Sequence, residues 1–352
     1  MKKLQLILSL FSFSFIGSCA AQNETESFVD FIQANVESTY KKENLPGVFV
    51  GILNNGQRSY FNAGFANVEN QTPFDSSTVF EIGSITKTFT AYVLMVVLLE
   101  HKIEETDLVV KYLPDSVQEN KNLNSISFLG LMNHTSGLSR LPGNMKLVNK
   151  MPYDDYTAEK LFAFLKTVEP KPDGKSNYSN LGAGLAGVLA ERISGKTYDQ
   201  LISLYFFPQY KNGDKKNISQ GYFTATEKID FWNMDVLAPC GGLKYSSDQM
   251  LNYLQSMCFP KTETSKNIVD KLTTQTVSLS EQVAVGYGWH IINGKNQPPV
   301  YWHNGATYGF STFCAFLKDK SKAVMVIVNQ FNKNAACDGL GFKIMRKLIS
   351  EQ

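Results

Sequence analysis

The sequence predicts an α/β fold of the α+β kind: one antiparallel sheet formed by both chain ends, helices packed on it, and an inserted helical region. Three observations carry this. A first amphipathic segment is followed by two strand-like runs joined by a hairpin turn. Strand patterning returns only after about residue 280. Between them the chain is mostly helical and looped. Cutting the chain by length would split the sheet, so residues 22–352 read as one unit of two lobes, with any site where they meet.

The elements follow in order. Residues 22–27 are a polar tether. Phe28, Phe31, Ile32 and Val36 keep helical spacing to about Tyr40. Strands are expected over Gly47–Leu53 and Arg58–Phe65, because Asn54-Asn55-Gly56-Gln57 contains the Asn-Gly pair of a tight hairpin. From Phe80 to Leu99 comes a glycine, Gly83, then Ser84, then a run without Gly or Pro. Its nine successive apolar residues, Ala91–Leu99, are too few to span a bilayer, so a helix buried on all sides is expected there, starting at Ser84. Further helices are expected over Ile126–Met132, Ala158–Leu165, Leu181–Ile193 and Ser247–Met257, the last capped by Ser246 or Ser247. Val283–Ile292, Val300–Trp302, Phe310–Leu317 and Lys322–Val328 read as strands, and about Leu340 to Ile349 as a closing helix.

Composition narrows the function classes. At 43% hydrophobic and 19% charged, the 352 residues are ordinary for a globular chain able to bury a large core. A net charge of +2, with no basic block, gives no footprint for nucleic acid or an acidic membrane surface. Lys2 and Lys3, the apolar run Leu4–Ile16 and the small residues Gly17-Ser18-Cys19-Ala20-Ala21 form an export signal over residues 1–21. Small residues directly before Cys19 resemble a bacterial lipobox, which predicts a periplasmic or outer-membrane lipoprotein; the alternative is cleavage near Ala21 without lipid. Cys240, Cys258, Cys314 and Cys337 lack metal-like spacing, and among their three possible full pairings the sequence selects none. Cys314, in an apolar strand run, reads as a buried free thiol.

Three short motifs carry chemistry. Ser84 and Lys87 lie three apart and share a helix face. A serine hydroxyl needs a neighbouring base, and a lysine serves if its surroundings disfavour its charge. The alternative is an N-cap serine beside a solvated lysine. Tyr178 and Asn180 stand in a polar loop running into a small-residue helix; a tyrosine near a cation can relay a proton, and Asn180 offers both donor and acceptor to an amide. The alternative is ordinary turn chemistry. His303-Asn304-Gly305, followed by Ala306, is at a strand end, where a glycine lets a substrate backbone lie close. There the alternative is a histidine satisfied by hydrogen bonds. His134, before the glycine stop Gly137, is expected to be structural, and the segment 240–248, from Cys240 through Gly241-Gly242-Leu243 to Asp248, to support the site from beneath.

Together these pieces resemble the serine β-lactamase and penicillin-binding family, in its class C and DD-peptidase-like branch. The order Ser84-x-x-Lys87, Tyr178-x-Asn180, His303-x-Gly305 matches its motifs, as do Phe80-Glu81-Ile82-Gly83-Ser84, Asn133-His134-Thr135-Ser136-Gly137-Leu138 and Gly241-Gly242-Leu243. The resemblance runs from about Phe28 to the end. It implies a β-lactamase/transpeptidase-like catalytic domain, a monomer without metal or cofactor, in which Ser84 is acylated by a β-lactam or a D-amino-acid peptide. Lys87 and Tyr178 would share the proton transfers, with the base undecided, and Asn180 would hold the substrate amide. The Ser84 and Ala306 N–H groups would form the oxyanion hole. His303 departs from the Lys-Thr-Gly of class C relatives, which keeps esterase and D-amino-acid peptidase action open. A non-catalytic wall-binding lipoprotein is the alternative of another class. If His303 contacts a substrate carboxylate, binding should improve as pH falls through the histidine range.

Overall fold

A computed structural model describes residues 27–146, 150–208 and 217–351. The expected export segment and Cys19 lie outside them. Helix α1 (Phe28–Glu43) starts where the Ser27 hydroxyl accepts the Asp30 N–H at 3.1 Å, and stops at Asn44 in the left-handed conformation. Strands β1 (Gly47–Asn54) and β2 (Gln57–Gly64) then form the hairpin. Asn55 (φ 51°) and Gly56 (φ 84°) supply the two positive φ angles its turn requires.

Strand β3 (Val79–Glu81) leads through one 3-10 turn, Gly83–Ile85, into α2 (Thr86–Glu100). The inserted region contains α3 (Asp115–Gln118), α4 (Phe128–Met132), α5 (Ala158–Leu165), α6 (Asn180–Ser194) and α7 (Tyr198–Tyr205). It continues with β4 (Gly221–Tyr222), β5 (Lys228–Ile229), β6 (Lys244–Ser246), α8 (Ser247–Cys258) and α9 (Glu263–Leu272). The chain then returns to the sheet as β7 (Val277–Ser278), β8 (Val283–Val285), β9 (His290–Ile292), β10 (Val300–Ala306), β11 (Ser311–Leu317) and β12 (Lys322–Val328), and closes with α10 (Asn334–Ser350).

The main sheet has the order β2-β1-β12-β11-β10-β9-β8-β7, antiparallel throughout. Pairing of β1 with β12, from Val48–Val328 to Asn54–Lys322, joins the two chain ends as the patterning predicts. One face packs on α1 and α10, through residues such as Ile32, Val36, Phe313 and Ile344. The other packs on α2 and α8, through Phe49, Phe89, Leu94 and Leu251. The Gly83–Glu100 stretch is apolar enough to cross a membrane by length and composition, but 72% of it is buried within the fold, so it is a core helix.

Several boundaries differ from the sequence expectation, each for a local reason. Val283–Ile292 is two strands, because Gly288 turns left-handed (φ 78°) against the α2 backbone, where a Cβ would lie 3.0 Å from the Lys87 carbonyl. The helix expected from Ile126 begins at Phe128, where the Ser127 hydroxyl accepts the Gly130 N–H at 3.1 Å. β10 continues past Trp302 to Ala306, and α10 begins six residues before Leu340. Ser246 rather than Ser247 caps α8, in a reciprocal pair with Gln249.

Candidate active site

The site begins with a backbone constraint. Gly83 has φ 53°, and a Cβ there would fall 2.6 Å from the Ala306 nitrogen. Only glycine fits so close an approach in a left-handed conformation. The resulting tight turn holds Ser84 in the single 3-10 turn, so α2 starts at Thr86 rather than at Ser84. Lys87 follows one turn later. It is 3% exposed, and its Nζ donates to the Ser84 Oγ at 3.1 Å and to the Cys240 carbonyl at 2.5 Å. This lysine is not a solvated surface residue.

Tyr178 is half-buried, with the Lys87 Nζ 4.8 Å and the Arg140 Cζ 5.0 Å from its ring centroid. Its ring lies 4.6 Å from that of His134 and 6.4 Å from that of His303. Asn180 opens α6, whose cap Ser179 accepts the Gly182 N–H at 2.8 Å. The Asn180 N–H donates to the Arg140 carbonyl at 2.9 Å, and its Nδ2 to the Tyr153 hydroxyl at 3.4 Å. Its Oδ1 is buried with no partner, an acceptor kept without a hydrogen bond inside the protein.

On β10, Gly305 abuts the nucleophile segment: a Cβ there would lie 2.1 Å from the Ile82 carbonyl oxygen. Ala306 ends the strand exposed. His303 is 1% exposed, and its Nδ1 lies 2.6 Å from the Asn304 carbonyl. A carbonyl only accepts, so Nδ1 carries the proton and Nε2 is a bare lone pair, buried without a partner. Burial, then the charges of His290 and Lys87, hold His303 well below the usual histidine range. The neutral form is thereby favoured, which runs against the expected gain of carboxylate binding through protonation of His303 in the ordinary histidine range. Burial likewise pushes His134 down to about 3 and His290 to about 4.

Ser84, Lys87, Tyr178 and His303 thus converge, with Gly305 and Ala306 against the nucleophile turn and Asn180 at the start of the adjoining helix. His134 does structural work: its Nδ1 accepts the Ser179 N–H at 3.3 Å, which anchors the start of α6. All four cysteines among the described residues are buried and free, Cys314 included. Among the described residues no cluster of His, Cys, Asp and Glu is placed to hold a metal. Arg140 and Tyr153 are not among the sequence candidates, and the segment 240–248 is expected beneath the site without its Cys240 carbonyl being singled out as the acceptor for Lys87; all three come close only through long-range contacts. Sequence reasoning quoted Glu81 only as part of a motif; a carboxylate among Phe80, Ile82 and Gly83 was the available signal.

The geometry can be set beside known proteins. A profile of the Beta-lactamase family matches residues 32–340. A beta-lactamase of Providencia stuartii is 24% identical over 94% of this chain and 92% of its own length. That of Escherichia coli K12 is 23% identical over 94% and 97%, and that of Pseudomonas fluorescens 24% identical over 86% and 94%. With one family profile spanning most of the sheet and every motif of the site, the chain belongs to the beta-lactamase family.

Proposed function

We propose that the protein is a serine hydrolase of the Ser-x-x-Lys type that cleaves β-lactam amide bonds through an acyl-enzyme on Ser84. The observation that carries this is the 3.1 Å contact between a buried lysine amine and the Ser84 hydroxyl. The Ser84 Oγ attacks the carbonyl carbon and its proton passes to the Lys87–Tyr178 pair, which returns a proton to the leaving nitrogen. Water then attacks the ester and gives its proton to the same pair, which passes one to the departing Ser84 oxygen. The N–H groups of Ser84 and Ala306 face the developing oxyanion, and the free Oδ1 of Asn180 accepts an amide N–H of the substrate. A non-catalytic binder has no use for a desolvated amine held on a serine hydroxyl.

Neutral His303 favours one second reading on the same machinery. Without a strand-borne cation at that position, esters and D-amino-acid peptides are substrates as well, and His303 acts as a buried acceptor beside Tyr178. We also propose that residues 1–21 direct export, with Cys19 lipidated at the membrane, and that residues 22–352 act as one monomeric catalytic unit. The test is turnover of a chromogenic cephalosporin and of a D-alanyl ester by the wild type and by Ser84→Ala. Hydrolysis of the cephalosporin that disappears with Ser84 supports the proposal. Turnover of the ester alone transfers the assignment to the second reading, and turnover that survives Ser84→Ala refutes both.

A further inference from the structure

Glu81 is a carboxylate buried directly behind the nucleophile turn, and no step of acyl transfer uses it. It ends β3 three residues before Ser84 and is 3% exposed. Its Oε2 accepts the Thr307 hydroxyl at 2.6 Å, and its Oε1 accepts the Trp232 N–H at 2.5 Å. Thr307 is the residue after Ala306, and its hydroxyl oxygen also accepts the Gly309 N–H at 3.3 Å. The side chain thus reaches from the strand that delivers Ser84 to the strand end that delivers Ala306.

The backbones between these two side chains are in direct contact. Thr312 Oγ1 donates to the Ile82 carbonyl at 2.9 Å, and neither Gly83 nor Gly305 leaves room for a Cβ. Segments 81–84 and 305–307 are therefore fastened at both ends, by glycine contact at the front and by the Glu81–Thr307 bond at the back. Trp232 extends the fastening to the opposite wall, because its ring packs 5.2 Å from Tyr153, the partner of Asn180. A buried carboxylate is a costly way to fill this space, as its own carboxyl shows: burial pushes it up to about 6, even with Lys244 opposite on β6. Its advantage over an apolar residue is a short, charge-assisted bond of fixed direction.

We propose that Glu81 is a positioning residue, which through Thr307 holds the Ala306 amide in register with the Ser84 amide so that both N–H groups converge on one oxyanion. This rests on the reading that Ser84 is acylated. A fixed donor matters in the transition state far more than in the encounter complex, so loss of register slows the chemical step and spares binding.

The experiment is saturable modification of Ser84 by an activated aryl phosphonate, whose tetrahedral adduct places an oxygen between the two amides. Thr307→Val is expected to lower the maximal rate about tenfold or more, with the half-saturating concentration within about twofold. Thr307→Ser keeps the hydroxyl and should restore most of that rate. Glu81→Gln should slow the step likewise. The double variant Glu81→Gln/Thr307→Val should be within about twofold of the slower single variant, because both remove one link. Unchanged maximal rates, a Thr307→Ser as slow as Thr307→Val, or losses that multiply in the double variant would each overturn the proposal. If Glu81→Gln does not fold, the two Thr307 variants decide. A wild type that is never modified at Ser84 refutes the acyl-enzyme reading instead, which separates the two failures.

Discussion

Among the described residues two lysines are buried, and their difference separates chemistry from structure. Lys322, at the start of β12, is 8% exposed, and its Nζ donates to the Leu348 carbonyl at 2.6 Å and to the Glu351 carbonyl. Both acceptors are backbone groups at the C-terminal end of α10, where a positive charge satisfies orphan carbonyls and the helix dipole. Lys87 is 3% exposed and also donates to one backbone carbonyl, that of Cys240, but its other contact is the Ser84 hydroxyl. Burial of a lysine alone therefore says little. A buried lysine whose donors end on a helix terminus is a cap, and one aimed at a half-buried hydroxyl is part of a reaction.

The contrast extends to what surrounds each lysine. Near Lys87 stand His134 and His303, with the His290 ring 5.2 Å from that of His303, and burial disfavours the charged form of all three. A histidine held below its unfolded value contributes stability that is present above about pH 6.5 and lost as pH falls toward its folded value. His290 alone, lowered to about 4, accounts for about 3 kcal/mol of acid destabilisation. Denaturant melts from pH 7 to 4 should show a steep loss of stability, and His290→Gln should flatten it. An unaltered slope in that variant would mean that His290 is already charged in the folded protein.

The lysines themselves come next. Lys87→Met should slow acylation of Ser84 by about a hundredfold or more, about 2.7 kcal/mol in the barrier, measured by stopped-flow with a chromogenic cephalosporin. Near-normal acylation would reduce Lys87 to the same capping role as Lys322. Glu81 gives an opposite pH signature. Its carboxyl is raised by burial from 4.5 to about 6, so its contribution is fully present below about pH 4.5 and lost as pH rises through about 6. The stability of wild type relative to Glu81→Gln should therefore fall by about 2 kcal/mol over that window. The smallest effect is expected from Lys322→Met: about 1–2 kcal/mol of stability from losing the α10 cap, with the acylation rate of the folded protein unchanged. A slowed rate there would erase the distinction between the two lysines.

The sequence carried the local parts of this account and lost the long-range ones. The Asn55-Gly56 turn, the core helix and the order of the three motifs all follow from residues adjacent in the chain. Lys87 could not be told from a surface lysine by its position in Ser84-x-x-Lys87, because the Cys240 carbonyl that receives it lies 153 residues away. Lys322, part of the same strand run as Val324 and Val326, gave no sign that its amine closes α10. His303 was legible as a site residue, but not its charge. Neutrality comes from 1% exposure and from His290 and Lys87, which the topology brings alongside. The short pairing of β3 with β6, which places Glu81 opposite Lys244, has no local pattern at all.

The most direct test of the central claim is the mass of the intact protein after brief exposure to an activated aryl phosphonate. The account predicts one equivalent bound, mapped to Ser84 by peptide fragmentation, absent in Ser84→Ala and formed much more slowly in Lys87→Met. An equivalent adduct in Ser84→Ala, or a wild type that stays unmodified while hydrolysing a cephalosporin, would contradict it.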